Sequence, residues 1–469
     1  MSLWLSQTSL MRLDTPAWLE EICQRITSND PNLSIIELTH QRIDDRQALI
    51  LAEALQENTV VEVVVLSCYA IVDNGAYALA SVLGKSKSIK KVQLRDLRNS
   101  REAVTFFKEV ARNQQLEEFS LRHCQVCQQS SRLLHNMIQS HKQLKEVRFV
   151  DTQFLHCSFS EICQGFEKNS SVLRLYFVNT DIYPDSGARC LSKLIKANQT
   201  IEELFLSENQ LGDEGTEILV QGLLQNQSLQ KLDLRSNGIE VEGSMALSTL
   251  ITRSTTLNSL GLAMNGIGDV GIAAIAQGIQ HHQCYLQDLD VSDNRIGHKG
   301  AAALSNSLLT NTRLQDLNLA FNSIGSMGAI SIASVLDQNV TLRRLSLRRN
   351  GIDNMGACAF ATKLPTMRGL KELVMINNPI DHEGSRELLQ GLRNNMELVY
   401  LHVGDKKSEP ILKEIFHWIR LNQAGRRIFR RSDLPLALWP RMLSRLTMDN
   451  DVLFHFLSQK PEILEYSYT

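Results

Sequence analysis

Residues 286–300 of the chain read LQDLDVSDNRIGHKG and are followed by AAALSNSL. Apolar Leu289 and Val291 alternate with aspartates, which predicts a short strand with one buried face. Beyond the turn, the apolar residues change to a helical spacing that places Ala301, Leu304 and Leu308 on one face. Residues 286–308 therefore predict a strand, a turn and a helix in succession.

The same pattern, Leu-x-x-Leu-x-Leu-x-x-Asn-x-Ile/Leu, recurs along the chain at a nearly constant spacing. Ten of the thirteen intervals are 28 residues long, two are 29 and one is 27. A fixed period of this length is typical of a solenoid, in which each repeat contacts only its neighbours. The pattern is that of a leucine-rich repeat, and it predicts an α/β solenoid. The fourteen repeats start at Leu33, Val61, Ile89, Leu116, Leu144, Val172, Ile201, Leu229, Leu257, Leu286, Leu314, Leu342, Leu370 and Leu398.

The predicted architecture is a horseshoe with a parallel sheet on the concave face and helices on the convex face. The leucine positions point between the two layers, and each buried side chain contributes roughly 1.5 to 3 kcal/mol. Three segments are expected: a cap helix within 1–32, an array of about 14 repeats over 33–405, and a helical cap over 406–469. Caps at both ends cover the apolar faces that a stack of repeats otherwise exposes.

Each predicted cap has its own sequence signals. Asp14 or Thr15 is expected as the N-cap of the first helix, with Pro16 in its first turn. In the closing segment, a first helix is expected to end near Gly425, and two further helices are expected over 439–446 and 452–457. The apolar stripe of that first helix is Ile411, Leu412, Ile415, Phe416 and Ile419.

The asparagine position of the repeat divides the array into a regular and an irregular part. Its side-chain amide is expected to satisfy backbone groups in the turn, and Gly297 and Gly300 are expected to permit a tight entry into the helix. Repeat three is 27 residues long and has Asn99 at an apolar position, so we expect faster hydrogen exchange over 95–115 than over 201–395. Seven repeats carry Asn209, Asn237, Asn265, Asn294, Asn322, Asn350 and Asn378 there, whereas six earlier ones carry Gln41, Tyr69, Leu97, Cys124, Thr152 and Thr180.

Composition argues against several classes of partner. The chain has 49 basic and 51 acidic side chains, so its overall field attracts neither nucleic acid nor an anionic membrane. No stretch is long and apolar enough for a membrane span, and no secretory signal is evident. Nine cysteines at irregular positions are unlike a disulfide framework, so we expect a reducing, cytoplasmic location.

No catalytic, metal or cofactor site is expected. Cys124 and Cys127 have the spacing of a metal or redox pair, but Cys124 occupies the asparagine position and no second pair follows. The twelve histidines show no metal-ligand spacing. Glycosylation sequons at Asn169, Asn198, Asn226 and Asn339 all fall at one point of the repeat, so they are interpreted as by-products of the repeat pattern.

The candidate partner-binding residues are those that strands turn away from the leucine layers. Aromatic and arginine side chains there are typical anchors of protein interfaces. The alternative for Tyr176 and Phe205 is that they pack on each other as cross-strand neighbours. The first group of candidates is Arg148, Tyr176, Val178, Phe205, Asp233 and Arg235.

A second group of candidates makes the predicted sheet face bipolar, and from it Asp290, Asp316 and Arg348 are taken as partner-binding. Such a pattern can orient a partner of opposite polarity, whereas a solvated surface that neutralises itself is the alternative. The acidic members are Asp288, Asp290, Asp293 and Asp316, and the basic ones are Arg343, Arg344, Arg348 and Arg349.

The stretch 314–328, LQDLNLAFNSIGSMG, resembles repeats of the ribonuclease-inhibitor subfamily, which includes Ran GTPase-activating proteins and the repeat regions of NOD-like receptors. The resemblance covers residues 33 to about 405 and implies a non-enzymatic scaffold or adaptor that binds another protein, of unknown identity, on its concave face. The alternative that it implies is a GTPase-activating protein of the Ran type acting on a small GTPase. We expect neither an acidic C-terminal tail nor a nucleotide-binding domain ahead of the repeats, and no catalytic residue is transferred.

Overall fold

Alternating apolar residues form a parallel strand in each of the fourteen repeats. The computed structural model describes residues 15–98, 100–404, 409–429 and 450–459. The chain divides into two compact units, residues 1–238 (unit 1) and 239–469 (unit 2). In each unit the repeat strands form a parallel sheet in chain order. The predicted α/β solenoid of leucine-rich repeats is confirmed.

Unit 1 contains eight repeat strands among its described residues. They are β1 (Ile35–Leu38), β2 (Val63–Ser67), β3 (Lys91–Arg95), β4 (Glu118–Arg122), β6 (Glu146–Val150), β8 (Arg174–Val178), β9 (Glu203–Phe205) and β10 (Lys231–Asp233). A second, two-stranded ladder of β5 (Gln125–Val126) and β7 (Gln153–Phe154) was not predicted from the sequence.

The helices of unit 1 follow the strands one by one. The first, α1 (Ala17–Thr27), precedes β1 and packs against α2. It has Pro16 as its N-cap, so the prediction of Pro16 inside the first turn was wrong by one residue. The others are α2 (Asp45–Leu55), α3 (Asp73–Lys85), α4 (Ser100–Val110), α5 (Gln128–Ser140), α6 (Ser158–Glu167), α7 (Ser186–Ala197) and α8 (Gly212–Leu223).

Unit 2 repeats the same alternation with strands of three residues. The strands are β11 (Ser259–Gly261), β12 (Asp288–Asp290), β13 (Asp316–Asn318), β14 (Arg344–Ser346), β15 (Glu372–Val374) and β16 (Tyr400–His402). The repeat helices are α9 (Val241–Arg253), α10 (Gly268–Gln280), α11 (His298–Leu308), α12 (Gly325–Val335), α13 (Asn354–Lys363) and α14 (His382–Asn394).

Three helices follow the last strand among the described residues: α15 (Glu409–Gln423), α16 (Arg426–Phe429) and α17 (Asn450–Gln459). The first and last of these agree with the predicted helix that ends near Gly425 and with the predicted helix over 452–457. The helix predicted over 439–446 lies outside the described residues, as do Asp14 and Asn99. Ile411, Ile415 and Ile419 are buried as predicted, but Phe416 is 52% exposed. Phe416 therefore does not belong to the buried stripe of α15.

The leucine layer of the repeat forms the core between strands and helices. In repeat ten, Leu289, Val291, Ile296, Leu304 and Leu308 are all at most 1% exposed. Neighbouring strands align these positions, since Leu289 pairs in register with Leu260 and Leu317. The residues between them, on the other side of each strand, form the sheet face that points away from the helices.

The asparagine position works as predicted. The Nδ2 group of Asn322 donates to the carbonyls of Val291 and Leu319 at 3.0 Å, and its Oδ1 accepts from the Asn294 amide at 2.9 Å. Earlier repeats partly replace this link: the Cys124 thiol donates to the Arg122 carbonyl at 3.3 Å. The amide side chain thus joins one repeat to the next through buried backbone groups.

The predicted role of the glycines needs a correction. Gly297 has φ −101°, which any residue adopts, and the left-handed residues of this turn are Asp293 and Arg295, with φ 53° and 58°. Gly300 is required for packing, because a Cβ there would lie 2.5 Å from Cγ2 of Ile272. The tight turn is therefore made by non-glycine residues, and only the helix contact needs glycine.

Candidate functional site

The candidate residues of unit 1 lie mainly in one row across the sheet face. Arg148 in β6 pairs in register with Tyr176 in β8, Tyr176 pairs with Phe205 in β9, and Phe205 pairs with Asp233 in β10. Alternation explains the row, because the residues that flank Tyr176 in its strand, Leu175 and Phe177, are fully buried on the helix side. Four of the six candidates are thus direct neighbours.

Tyr176 and Phe205 stack face to face at the centre of this row. Their ring centroids are 4.1 Å apart and their planes differ by 1°. Both side chains are half-buried, and burial raises the pKa of the Tyr176 hydroxyl. The cross-strand packing that the sequence left as an alternative is therefore present, and it leaves the outer edges of both rings on the sheet face.

Cationic groups cover the outer faces of the two rings. The Arg148 guanidinium carbon lies 4.4 Å from the centroid of the Tyr176 ring, and Nζ of Lys231 lies 5.3 Å from the centroid of the Phe205 ring. Cations over aromatic faces at this distance are attracted by the ring quadrupole. The four side chains form one continuous column, here called the aromatic column: Arg148, Tyr176, Phe205 and Lys231.

A carboxylate that the sequence did not single out holds the arginine end of the column. Glu146 is buried and accepts hydrogen bonds from Nε of Arg148 and from Nε of Arg174, the latter at 2.6 Å. Burial raises the pKa of Glu146, but the two arginines together lower it by a larger amount. The pKa of this carboxyl therefore lies below its ordinary value. Glu146 thus fixes both guanidinium groups beside Tyr176.

Three charged residues that the sequence did not single out occupy the same position within their repeats: Glu146, Arg174 and Lys231. Each occupies the third position of its repeat, which faces the same way as the fifth position of Tyr176. The available signal was an alternation of charge between neighbouring strands, from Glu146 to Arg174 and from Glu203 to Lys231. That pattern predicts ion pairs between strands.

The remaining candidates of unit 1 lie outside the aromatic column, and among them Asp233 pairs in register with Phe205. Val178 is half-buried and pairs in register with Val150. Asp233 accepts the backbone amide of Arg235 at 2.9 Å, so its carboxylate is partly engaged in its own turn. Arg235 is exposed. These three side chains form a mixed apolar and charged border around the aromatic column.

In unit 2, part of the predicted bipolar pattern neutralises itself. Asp316 in β13 pairs in register with Arg344 in β14, and Nη2 of Arg344 donates to its Oδ2 at 2.6 Å. Burial raises the pKa of Asp316 in spite of that arginine. Asp290 accepts the hydroxyl of Ser292 at 2.6 Å. Each of the two carboxylates thus already accepts a hydrogen bond from a neighbouring side chain.

A shallow depression of about 330 Å³ lies on the sheet face around Asp316. It is open to solvent and crosses strands β12 to β15. Asp290 and Arg348 do not line it, so Asp316 is the one candidate of unit 2 that lies in this depression. Its lining residues are Asp288, Asp316, Leu317, Asn318, Arg344, Leu345, Ser346, Glu372 and Val374.

Arg348 instead contacts an aromatic residue that the sequence did not single out. The guanidinium carbons of Arg348 and Arg349 lie 5.2 Å and 5.5 Å from the centroid of the Phe321 ring. All three side chains are exposed. Phe321 follows strand β13 at the eighth position of its repeat, the position that Arg349 occupies in the next repeat.

The chemistry-bearing residues elsewhere are not assembled into a reactive site. Burial raises the pKa of the Cys124 thiol to about 12, whereas Cys127, at the start of α5, accepts the Ser130 hydroxyl, and its pKa is lowered. In the described part of the chain, no three His, Cys, Asp or Glu side chains are grouped to hold a metal ion. None of the described helices has the length and apolar character needed to cross a bilayer.

The sequon asparagines belong to the packing of the repeats. Asn198 is 2% exposed, and its Nδ2 group donates to the carbonyls of Phe166 and Asn169 at 2.8 and 2.9 Å. Asn169, Asn226 and Asn339 make equivalent bonds to the preceding repeat. These amides form a second ladder at the ends of the helices, which explains why the sequons recur with the repeat.

A family model described as Leucine Rich repeat matches six segments of the chain. No curated protein matches the chain significantly. These six segments carry leucine-rich repeats, and the strand and helix pattern gives the chain the fold of a leucine-rich-repeat solenoid. The matched segments are residues 197–217, 225–248, 253–276, 282–305, 310–333 and 338–361.

Two of the solved structures that resemble the chain are an internalin and an actin-binding segment of leiomodin-1. An internalin from Listeria monocytogenes is 15% identical, and the match covers 84% of this chain and 98% of that chain with a TM-score of 0.42. The actin-binding site 2 of leiomodin-1 is 20% identical, and the match covers 28% of this chain and 76% of that chain with a TM-score of 0.26. At these TM-scores neither likeness bears on function.

Proposed function

We propose that the chain is a non-enzymatic scaffold or adaptor that binds a protein partner on the sheet face of unit 1. The aromatic column supports this proposal, because rigid rings flanked by cations give a large contact area at little cost in side-chain entropy. The ring faces are already covered by Arg148 and Lys231, so a partner contacts the ring edges and the guanidinium group. The proposed site residues are Arg148, Tyr176, Val178, Phe205, Asp233 and Arg235.

Glu146 supports the same proposal through preorganisation. It holds Arg148 and Arg174 in fixed positions by hydrogen bonds. A side chain that is already ordered loses less entropy when a partner binds, which increases affinity. The cation and the rings are thus arranged before a partner arrives.

Three further assignments belong to this proposal. We place the repeats in the ribonuclease-inhibitor-like subfamily on their 28-residue spacing and on the pattern of residues 314–328. We assign residues 1–32 and 406–469 to caps of the array. A cytoplasmic location is supported by the nine cysteines, which form no disulfide in the described part of the chain and of which Cys68 and Cys163 are buried. No observation on the described residues favours the GTPase-activating alternative.

The test is quantitative affinity purification of the tagged chain from its own cells, followed by affinity measurement with the purified partner. We expect Tyr176→Ala/Phe205→Ala to weaken binding by at least ~2 kcal/mol. The matched control is Tyr77→Ala/Tyr183→Ala, which removes two exposed rings outside the strands. Equal partner affinity for the wild type and the Tyr176/Phe205 variant would refute this site, provided that circular dichroism shows both to be folded.

A further inference from the structure

The geometry points to a second binding site in unit 2, at Phe321, Arg348 and Arg349, which we propose takes an acidic peptide segment of a partner protein. The segment carries an Asp or Glu carboxylate for the arginines and an adjacent apolar side chain for the ring. No residue is shared with the proposed site of unit 1, so either proposal can fail alone.

The two arginines are free to bind an anion. Neither guanidinium forms an ion pair or a side-chain hydrogen bond with any residue that the structure describes. The nearby carboxylates are engaged elsewhere: Asp316 accepts from Arg344, and Asp353 accepts the Met355 amide at 2.8 Å. Guanidinium groups match carboxylates with paired N–H donors, and such charge-assisted bonds are stronger than neutral ones.

The position of the ring relative to the arginines is fixed by the backbone. The Phe321 amide donates to the Arg348 carbonyl at 2.7 Å, which ties the turn after β13 to the end of β14. Both guanidinium groups then lie within 5.5 Å of the centroid of one ring. A peptide therefore meets two cations and a phenyl group that are already held together.

Phe321 is also an unfavourable residue for its backbone conformation. Its φ is 58°, and the equivalent residues Asp96, Asp151 and Asn179, with φ 58°, 48° and 49°, are of the types that tolerate this left-handed region. Glu208, Ser236 and Met264 also adopt this conformation at the equivalent position, so it belongs to the repeat turn, and it places Phe321 and Arg349 next to each other in neighbouring repeats.

Charge and surface around the site favour an acidic and partly apolar ligand. Arg295 and Lys299, from the preceding repeat, are exposed and add positive charge to the same edge, where Asp293 is the one exposed acid between residues 293 and 299. Met327 and Met355 are 60% and 52% exposed near the starts of α12 and α13, the helices that follow the two turns. Two arginines beside one ring are too few for a nucleic-acid groove, which needs a longer basic track.

The test is selection of a phage-displayed library of random 12-residue peptides on the full chain. We expect peptides enriched in Asp and Glu beside aromatic or aliphatic residues. Selection on Arg348→Ala/Arg349→Ala should lose this enrichment. Enrichment of basic or uncharged peptides, or an acidic enrichment that persists on the variant, would overturn the proposal.

Affinity measurements on one enriched peptide by fluorescence anisotropy give the second readout. We expect Arg348→Ala/Arg349→Ala to weaken binding at least about tenfold, and Phe321→Ala to weaken it by a smaller factor. The control Arg132→Ala/Arg189→Ala removes the same charge from exposed positions on α5 and α7 and should leave the affinity unchanged. An equal loss in the control would show a general charge effect and refute the site, and thermal unfolding of each variant excludes misfolding.

Discussion

The rings of Tyr176 and Phe205, on neighbouring parallel strands, lie parallel with their centroids 4.1 Å apart. This contact joins the two strands on the sheet face and also shapes the surface of the proposed partner site. A double-mutant cycle separates the pairwise contribution from the loss of each ring alone.

We expect the cycle of Tyr176→Ala, Phe205→Ala and the double variant to give a coupling free energy of about 0.5 to 1.5 kcal/mol. The reason is that stacked rings attract each other beyond the area that each buries. The measurement is chemical denaturation of the four proteins under one set of conditions. Strictly additive effects would show that the two rings are neighbours without interaction.

Glu146 predicts a dependence of stability on acid pH. The pKa of Glu146 in the folded chain lies below the ordinary value of 4.5. Its contribution to the free energy of unfolding is therefore complete above about pH 5 and is lost as the pH falls through the folded pKa. Glu146→Gln should destabilise the chain by ~1 kcal/mol at pH 7, because two charge-assisted hydrogen bonds weaken. Denaturation from pH 7 to pH 3.5 should show the difference between the two proteins shrinking, and a constant difference would contradict this account.

The asparagine ladder gives a second stability prediction with a matched control. The Asn322 side chain bonds to backbone groups of five residues from within the core, whereas the half-buried Asn318 of the same repeat accepts one amide, that of Ala320, at 3.1 Å. Asn322→Ala should therefore cost at least ~2 kcal/mol, since buried backbone groups lose their partners, and Asn318→Ala should cost less than ~1 kcal/mol. Equal losses in denaturant unfolding would argue against a special role for the ladder.

The repeat period made the fold predictable from the sequence. Leu289 and Val291 alternate, Ala301 and Leu304 share a helical spacing, and both patterns recur in register through the chain. The two-stranded ladder of β5 and β7 was missed because it is two residues long and lies in turns without apolar alternation. Short ladders in turns, such as this one, depend on backbone hydrogen bonds that no side-chain pattern specifies.

The candidate site was only partly predictable. Alternation placed Tyr176 and Phe205 outward on neighbouring strands, but it did not specify which charges bond to each other. Glu146 was overlooked because its significance arises from contact with Arg148 and Arg174, which depends on side-chain conformation. Phe321 was overlooked because its neighbours at the end of β14 are 27 and 28 residues away in sequence. Side-chain geometry across repeats is thus the information that the period lacks.

The left-handed residue that recurs in the turns from Asp96 to Asn377 gives the last prediction. Met264 has φ 58° and is 57% exposed, while Asn179 and Asn377 occupy the same position of other repeats with φ 49° and 61°. A non-glycine residue loses roughly 1 to 2 kcal/mol in this conformation, and asparagine tolerates it better than methionine because its short side chain bonds locally.

Met264→Asn should therefore stabilise the chain by ~0.5 to 1 kcal/mol, since it relieves this backbone cost without removing a buried group. The control is Met327→Asn, at an equally exposed methionine in helix α12, where φ is helical and asparagine is a poorer helix former than methionine by up to ~0.5 kcal/mol. Thermal and denaturant unfolding should move in opposite directions for the two variants. A loss of stability in Met264→Asn would mean that the methionine side chain makes a contact that stabilises the chain by more than the backbone cost that asparagine relieves.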